Sequence, residues 1–529
     1  MIKLGVRNFR SFKDLKSLEV RPLTIFVGRN SCGKSSITRL IPLLQQSFEQ
    51  RTSSPILWTG NQVDFGSISD VLPNWSEEKV ISIEFEFESS SMDRYFGPSA
   101  ENGFRVKLNK DPIIYRAFLE ESGDFTRLCG FDLQINGDDI VFRVDKNGLV
   151  DNFTINGRQY KSSSANYKIA YDKSTLFPQI FFINPKNAVR NEPESLYTRR
   201  IQILKYFTHG KTSEEKIFSI DKDIPYTDKS NFFKNLENNR FGSDFFRSKL
   251  DEYRRSQNIF EEIRISVLFT MLGRIVAALG TTVRDLFLTS VYVGPIRASG
   301  ERYYRWRELA VDRIDPKGEN LAMYLASLTE NEIGRLSQLL SDGFGYRVRK
   351  LRSGGHVSIQ IGRTGHDEWF NIADMGHGFS QLLPIVAQIH AVLVGKGRRI
   401  ISGARVQLGV QRARAERLIA IEQPELHLHP ALQGRLANLF ENSIYSPSIG
   451  ENEPRALTGL HFVLETHSES LLNAVGELVA GGRIEPNDVA IYVFEKPDGE
   501  KETTVTRSSF DKNGELSGWP AGFFIYEIK

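Results

Sequence analysis

Near the start of the chain, Gly28-Arg29-Asn30-Ser31-Cys32-Gly33-Lys34-Ser35 spells G-x-x-x-x-G-K-S, a pattern that needs one local fold around it to work. Both flanks supply that fold. Leu23-Thr24-Ile25-Phe26-Val27 is a short β-branched apolar run, which predicts a buried parallel strand. Beyond the loop, apolar residues at Ile37, Leu40, Ile41 and Leu44 have helical spacing, with Pro42 limiting the first turns. Gly28 and Gly33 let the N–H groups around Asn30 and Ser31 turn inward upon phosphates, and the helix start adds its dipole. Lys34 is then placed for β/γ oxygens, Ser35 for magnesium, and Ser36 beside it. The loop predicts binding of ATP or GTP with Mg2+.

A net charge of +3 over 529 residues gives no global electrostatic argument for nucleic acid, so local patches must carry one. Cys32 and Cys129 are the two cysteines, too few for a disulfide scaffold or a zinc module. Met1 leads into a strand-like segment without an apolar signal region. The longest apolar stretch, Ile259 to Val283, is interrupted by Glu261, Glu262, Arg264 and Arg274 and is not expected to span a bilayer. These features predict a soluble, cytoplasmic protein with no membrane partner.

The texture of the chain changes along its length. Residues 1–75 form the nucleotide-loop unit. Residues 80–175 predict antiparallel sheet: Ile81 to Glu88 alternates strictly, and Asn102-Gly103, Asn136-Gly137, Asn147-Gly148 and Asn156-Gly157 are hairpin-turn dipeptides. From about 195 to 285 the sequence is helical and charged without a sustained heptad, so no long coiled-coil arm is expected. From 289 onward strands and helices alternate again.

The second half offers partners for the loop. Leu418-Ile419-Ala420-Ile421-Glu422 is an apolar strand ending in an acid, the place where magnesium is held in a parallel sheet. Leu460-His461-Phe462-Val463-Leu464-Glu465-Thr466-His467-Ser468 predicts another apolar strand, ending in Thr-His-Ser, where an imidazole can reach a phosphate or attacking water. Asp374-Met375-Gly376-His377-Gly378-Phe379-Ser380-Gln381 predicts a glycine-bearing loop whose Ser380 caps an apolar helix, a second anion-binding helix start. His427 and His429 fit a loop whose His429-Pro430 opens the next helix better than they fit a metal site.

Together, Asn30 to Ser36, the late Gly/Ser-Gln segment, Glu422-Gln423-Pro424-Glu425-Leu426-His427-Leu428-His429-Pro430 and Glu465-Thr466-His467-Ser468-Glu469 resemble ABC-type ATPases related to SMC and OLD proteins. Within these, the chain is similar to compact ATPases of bacterial anti-phage defence loci, of the Septu and retron kind. Tyr292-Val293-Gly294-Pro295-Ile296-Arg297 and Trp519-Pro520-Ala521-Gly522-Phe523-Phe524 match that group as well. The resemblance covers roughly residues 1–75 and 289–529. It implies an α/β fold: an ABC-type P-loop ATPase head with mixed and parallel sheet, an antiparallel β subdomain and a helical insertion. The implied division is 1–190 for the N-terminal lobe, 191–288 for the insertion and 289–529 for the C-terminal lobe.

The resemblance also assigns roles. Gly28 to Ser35, with Ser36, would be Walker A; Glu422 the Walker B acid; His467 the switch histidine. Gly376, Gly378 and Ser380 would be the signature that contacts the γ-phosphate held by a second subunit, which implies a homodimer or higher oligomer around sandwiched ATP. Gln62 is the candidate Q-loop residue beside the metal. Where such ATPases carry a catalytic glutamate, this chain has Gln423, which can position water but cannot take its proton, a loss of roughly 10²–10⁴-fold in general-base catalysis. Either Glu425 substitutes, or hydrolysis is slow and ATP acts as a clamp.

About 60 residues follow His467, with no Toprim-like, His-Asn-His or zinc-ligand pattern, so a nuclease is expected on another chain. The resemblance implies such an effector, an HNH nuclease being one candidate, and a retron reverse transcriptase with its DNA and RNA as a further partner. Two other readings compete: an SMC-like ATPase acting on DNA repair or DNA ends, and a nucleotide-stabilised scaffold. Direct DNA contact could come from Arg347, Arg349, Lys350 and Arg352, or from the cluster Lys396, Arg398, Arg399, Arg405, Arg412, Arg414 and Arg417. In a third run, Arg297, Arg302, Tyr303, Tyr304, Arg305, Trp306 and Arg307, aromatics interleave with arginines as in stacking sites.

Overall fold

The strand Leu23–Gly28 is buried at every position, as a strand covered on both faces must be. In the computed structural model it is the middle of a seven-stranded sheet. The structure describes residues 2–50, 52–96, 106–123, 125–147, 149–160, 168–172, 174–183, 189–190, 193–254, 257–306, 311, 313–394, 416–445 and 457–518. Across the sheet run Val291–Val293, Arg417–Glu422, Leu460–Glu465, Leu23–Gly28 and Val489–Glu495, all parallel. Thr504–Phe510 and Leu516–Ser517 continue it antiparallel. The strand before the glycine loop therefore takes both neighbours from the far end of the chain. Its loop opens at the carboxyl edge, where α/β sheets place their ligands.

Alternation along these strands feeds two cores. Phe26, Ala420, Val463, Tyr492 and Phe494 face one side, and Ile25, Val27, Ile421, Leu464 and Ile491 the other. The second side is covered by helices His377–Leu393, Pro430–Ile444 and Glu469–Ala480. The first side carries helix Leu40–Glu49, the long helix Gln257–Leu288 and an eight-stranded antiparallel sheet. By length and composition Asn258–Leu288 is apolar enough to cross a membrane despite its charges, and 72% of its most apolar window is buried inside the protein.

The antiparallel sheet is larger than its hairpin dipeptides indicate, because Lys3–Phe9, from the nucleotide-loop unit, pairs with Val80–Phe87 and carries Phe12–Glu19 on its other edge. Asn136-Gly137 and Asn156-Gly157 turn with positive φ at both residues, as two-residue hairpins require. Asn102-Gly103 and Gly148 lie outside the described residues. Buried Arg264 of the long helix grips both oxygens of Asp138 at 2.5 Å, and Tyr226 donates to the same carboxylate at 2.7 Å. This network ties the helical region to the sheet.

After the loop the helix runs as Lys34–Thr38, stops at Arg39 and resumes as Leu40–Glu49. Pro42 has no N–H to offer the Thr38 carbonyl, so the ladder breaks there. The break sets the position from which Arg39 reaches across the sheet's edge.

Candidate functional site

At the carboxyl edge of the sheet lies a cleft of about 560 Å³. Asn30, Ser31, Gly33, Lys34, Ser35 and Ser36 line one wall, and Gln423, Glu465 and His467 another. The loop keeps the shape its glycines allow. Gly33 sits at φ 97 with no room for a Cβ, which would lie 2.7 Å from the Phe12 ring. Gly28 is closed in likewise by the Phe494 carbonyl, 2.4 Å from where a Cβ would be. Lys34 is buried and folds back, donating to the carbonyls of Gly28 at 2.9 Å and Arg29 at 2.8 Å. Lys496 and Lys501, from the hairpin connecting the last parallel strand to its antiparallel neighbour, add positive charge to the rim.

The acid facing the loop is Glu465. Its Oε1 accepts from the Ser35 hydroxyl at 2.7 Å, while Oε2 is buried without a hydrogen-bond partner. Burial, and the charge of Glu422 beside it, push the Glu465 carboxyl up to about 7. Glu422, the strand-end acid expected at the metal, is engaged elsewhere. Its Oε1 accepts from Arg39 Nε and from the Tyr292 hydroxyl, both at 2.7 Å, and its Oε2 from Arg39 Nη2 at 2.8 Å. Register explains the difference. Glu422 and Glu465 are paired across adjacent strands, but only the strand of Glu465 adjoins Leu23–Gly28. The sequence points to Glu422 alone, because the order of the strands in the sheet is not visible in it.

Gln423 lines the cleft with φ 45, a left-handed backbone uncommon for its residue type. Glu425 is not part of the cleft lining. Its Oε1 accepts from the backbone N–H of His467 at 2.7 Å, and burial raises its carboxyl. Glu425 thus holds the histidine's loop. Desolvation and the neighbouring Lys34 ammonium lower the His467 imidazole to about 4, so it is neutral at physiological pH. Behind these residues, buried Arg297 donates to the carbonyls of Glu422 at 2.8 Å and Gln423 at 3.4 Å, while its Nε and Nη1 have no partner. Tyr292 and Arg297 both come from the Tyr292-to-Arg297 segment, which wraps Glu422 at side chain and backbone alike.

Two expected positions, Ser380 and Gln62, are placed elsewhere by the fold. Ser380 does not cap the helix His377–Leu393; the N-cap is Gly376, whose φ of 75 starts the helix early. Ser380 is buried one turn in, and its hydroxyl accepts from the Gly300 N–H at 3.0 Å. Gly376 and His377 stay exposed at the helix start, and Gly378 packs beside the His427 carbonyl. Gln62 is away from the cleft lining, its backbone N–H donating to Gln46 at 3.3 Å. Lys396, Arg398, Arg399, Arg405, Arg412 and Arg414, together with Arg307 and the segment from Trp519 to Phe524, lie outside the described residues. His429 caps the helix Pro430–Ile444 through a 3.3 Å bond to the Ala431 N–H.

A glycine loop between a central parallel strand and a helix, with acid and histidine supplied by the adjacent strand, defines a P-loop ATPase fold of mixed sheets and helices. Residues 1–472 match the family described as AAA ATPase domain, and the chain belongs to that family. Nucleotide binding and ATPase chemistry are the activity class this membership carries. Residues 484–524 match a second family, described as a protein of unknown function (DUF3696). Among solved structures, the chain is similar to the Smc head domain with an extended coiled coil bound to the C-terminal domain of ScpA from Pyrococcus furiosus. Identity there is 12%, with 96% of this chain and 97% of that one covered and a TM-score of 0.35. The SMC head domain from Thermotoga maritima gives 9% identity, 95% and 97% coverage and a TM-score of 0.34. No curated protein matches the chain.

Proposed function

We propose that this chain is an SMC-like ATPase that takes ATP with Mg2+ in the cleft and uses it to pair two copies and govern a separate effector nuclease. The observation that carries the first part is the 2.7 Å contact of Ser35 with Glu465, made where Lys34 and His467 line the same cleft. The residues fit the group. The loop's positive-φ turns leave N–H groups free to converge, Lys34 rests on carbonyls that a phosphate would replace as its partners, and Glu465 keeps an unpartnered buried oxygen. The cleft volume lies in the usual range for small-molecule sites, about 300–1,000 Å³.

In this reading Lys34 and the loop bind the phosphates, and Ser35 with Glu465 holds the metal. Glu422 stands behind as an anchor for Arg39. Bound ATP with Mg2+ supplies a γ-phosphoryl group for transfer to water. Gln423 orients that water without accepting its proton, and Glu425 positions His467 through its backbone. Slow hydrolysis follows. The exposed start of helix His377–Leu393 is the surface offered to a second copy's nucleotide. The effector reading, with an HNH nuclease or a retron reverse transcriptase and its DNA as partners, is supported by the motif resemblance.

The test of the cleft is Lys34→Ala, which should lose most nucleotide affinity by equilibrium dialysis; unchanged affinity would overturn the assignment. Purifying the tagged protein from its native locus with non-hydrolysable ATP tests the effector. A co-purifying nuclease supports the gating role, and a bare homodimer overturns it.

A further inference from the structure

Two basic runs that are far apart in sequence come together on a small sheet outside the cleft. Tyr346–Ser353 pairs antiparallel with His356–Arg363, which also holds Tyr304–Arg305 and Trp369–Asn371 along its other edge. Pairing fixes which residues share a face. Val348, Ile359 and Ile361 point into the second core, and Val357 is buried on the same side. Lys350 shares that side and donates to the Ala326 and Leu328 carbonyls. The opposite face presents Arg347, Arg349 and Leu351, with His356 and Arg305 paired at one end and Trp369 opposite Gly362 at the other.

That face is built for planar anionic ligands. The Arg349 and Arg347 guanidinium carbons lie 4.3 and 5.1 Å from the Trp369 ring centre. Gly362 lets the Trp369 ring lie down on the sheet, since a Cβ there would meet it at 3.0 Å. Tyr303, 62% exposed, stands against the His356 ring at 6.4 Å. The ion pairs of this region are Arg302 with Asp374 and Lys350 with Glu330. Among the described residues, Arg305, Arg347, Arg349 and Arg352 make none, and Asp367 and Glu368 sit in the turn at one end. Arginines without counter-charge, interleaved with aromatic rings on an open sheet, suit phosphates and stacked bases together; an acidic peptide would use the charge but leave the rings idle.

We propose that this face binds single-stranded nucleic acid, with Arg305, Arg347 and Arg349 on phosphates and the exposed Tyr303 ring stacking a base. From Arg347 to Ser353 the strand offers about 20 Å of track. The proposal goes beyond the ATPase reading and does not depend on it.

The test is fluorescence anisotropy of a labelled oligothymidylate with the full chain, titrated across salt concentrations. With three phosphates neutralised, log affinity should fall against log salt with a slope of about −2. The Arg305→Glu/Arg349→Glu variant should bind at least tenfold more weakly with a flatter slope. Tyr303→Ala should lose roughly tenfold at unchanged slope, the mark of a lost stack. ATP binding serves as the folding control for both variants. Unchanged affinity in the double variant overturns the proposal. So does equal displacement by polyglutamate without dependence on Tyr303, which would make the face an acidic-protein site, and so does a preference for duplex.

Discussion

Replacing Glu465 by Gln in the nucleotide-free protein should stabilise it, and only at the pH where the structure says the carboxylate is a burden. The group is buried beside Glu422 and carries its proton up to about pH 7, against a usual 4.5. An unfolded chain releases that proton near 4.5. Between the two values the native state binds the extra proton, so its stability falls as pH rises. Above pH 7 the full penalty is present, about 3 kcal/mol at about 1.4 kcal/mol per pH unit. Gln carries no charge and removes it, while its carbonyl can still accept from Ser35. Urea unfolding in chelator, followed by circular dichroism at pH 5, 6, 7 and 8, reads the effect. Glu465→Gln should exceed the parent by about 2–3 kcal/mol at pH 8, with the gap closing toward pH 5. The same variant should lose Mg2+ dependence of ATP binding. A gap that does not vary with pH, or a variant less stable at pH 8, would refute the burial argument.

Asp138→Ala strips the buried Arg264 guanidinium of its bidentate partner and should cost about 3–5 kcal/mol, read as a lower urea midpoint. His377→Glu puts a carboxylate at the exposed start of helix His377–Leu393. It should leave the ATP affinity of the dilute monomer intact yet abolish ATP-dependent dimers in light scattering; normal dimers would remove that helix start from the interface.

The phosphate loop was legible in full, because strand, glycines and helix are contiguous and each residue type has one use there. The parallel strands ending at Glu422 and Glu465 were legible as strands for the same reason, since continuous apolar runs have few other homes. Their order in the sheet was not legible. Which acid meets Ser35 depends on which strand adjoins Leu23–Gly28, a contact between chain segments more than 400 residues apart. Arg39 was invisible as a partner of Glu422 because its reach follows from the helix break at Pro42. Ser380 looked like a cap by composition, yet Gly376 reached a positive φ that moved the helix start by a turn. The two basic runs were seen separately, and only pairing of His356–Arg363 with both Tyr304–Arg305 and Tyr346–Ser353 made them one face.

Arg297 has a consequence that concerns transmission. Its carbonyl accepts from Gln381, on the helix whose tip is exposed at His377, while its guanidinium donates to the carbonyls beside Gln423. One residue thus fastens an outward-facing tip to a wall of the cleft, and two partnerless nitrogens leave it free to re-pair when either side shifts. Coupling free energies are reciprocal. If filling the cleft favours the arrival of a neighbour at His377, that neighbour's arrival tightens the cleft by the same factor. An assembly of this kind would measure its own completeness through nucleotide affinity.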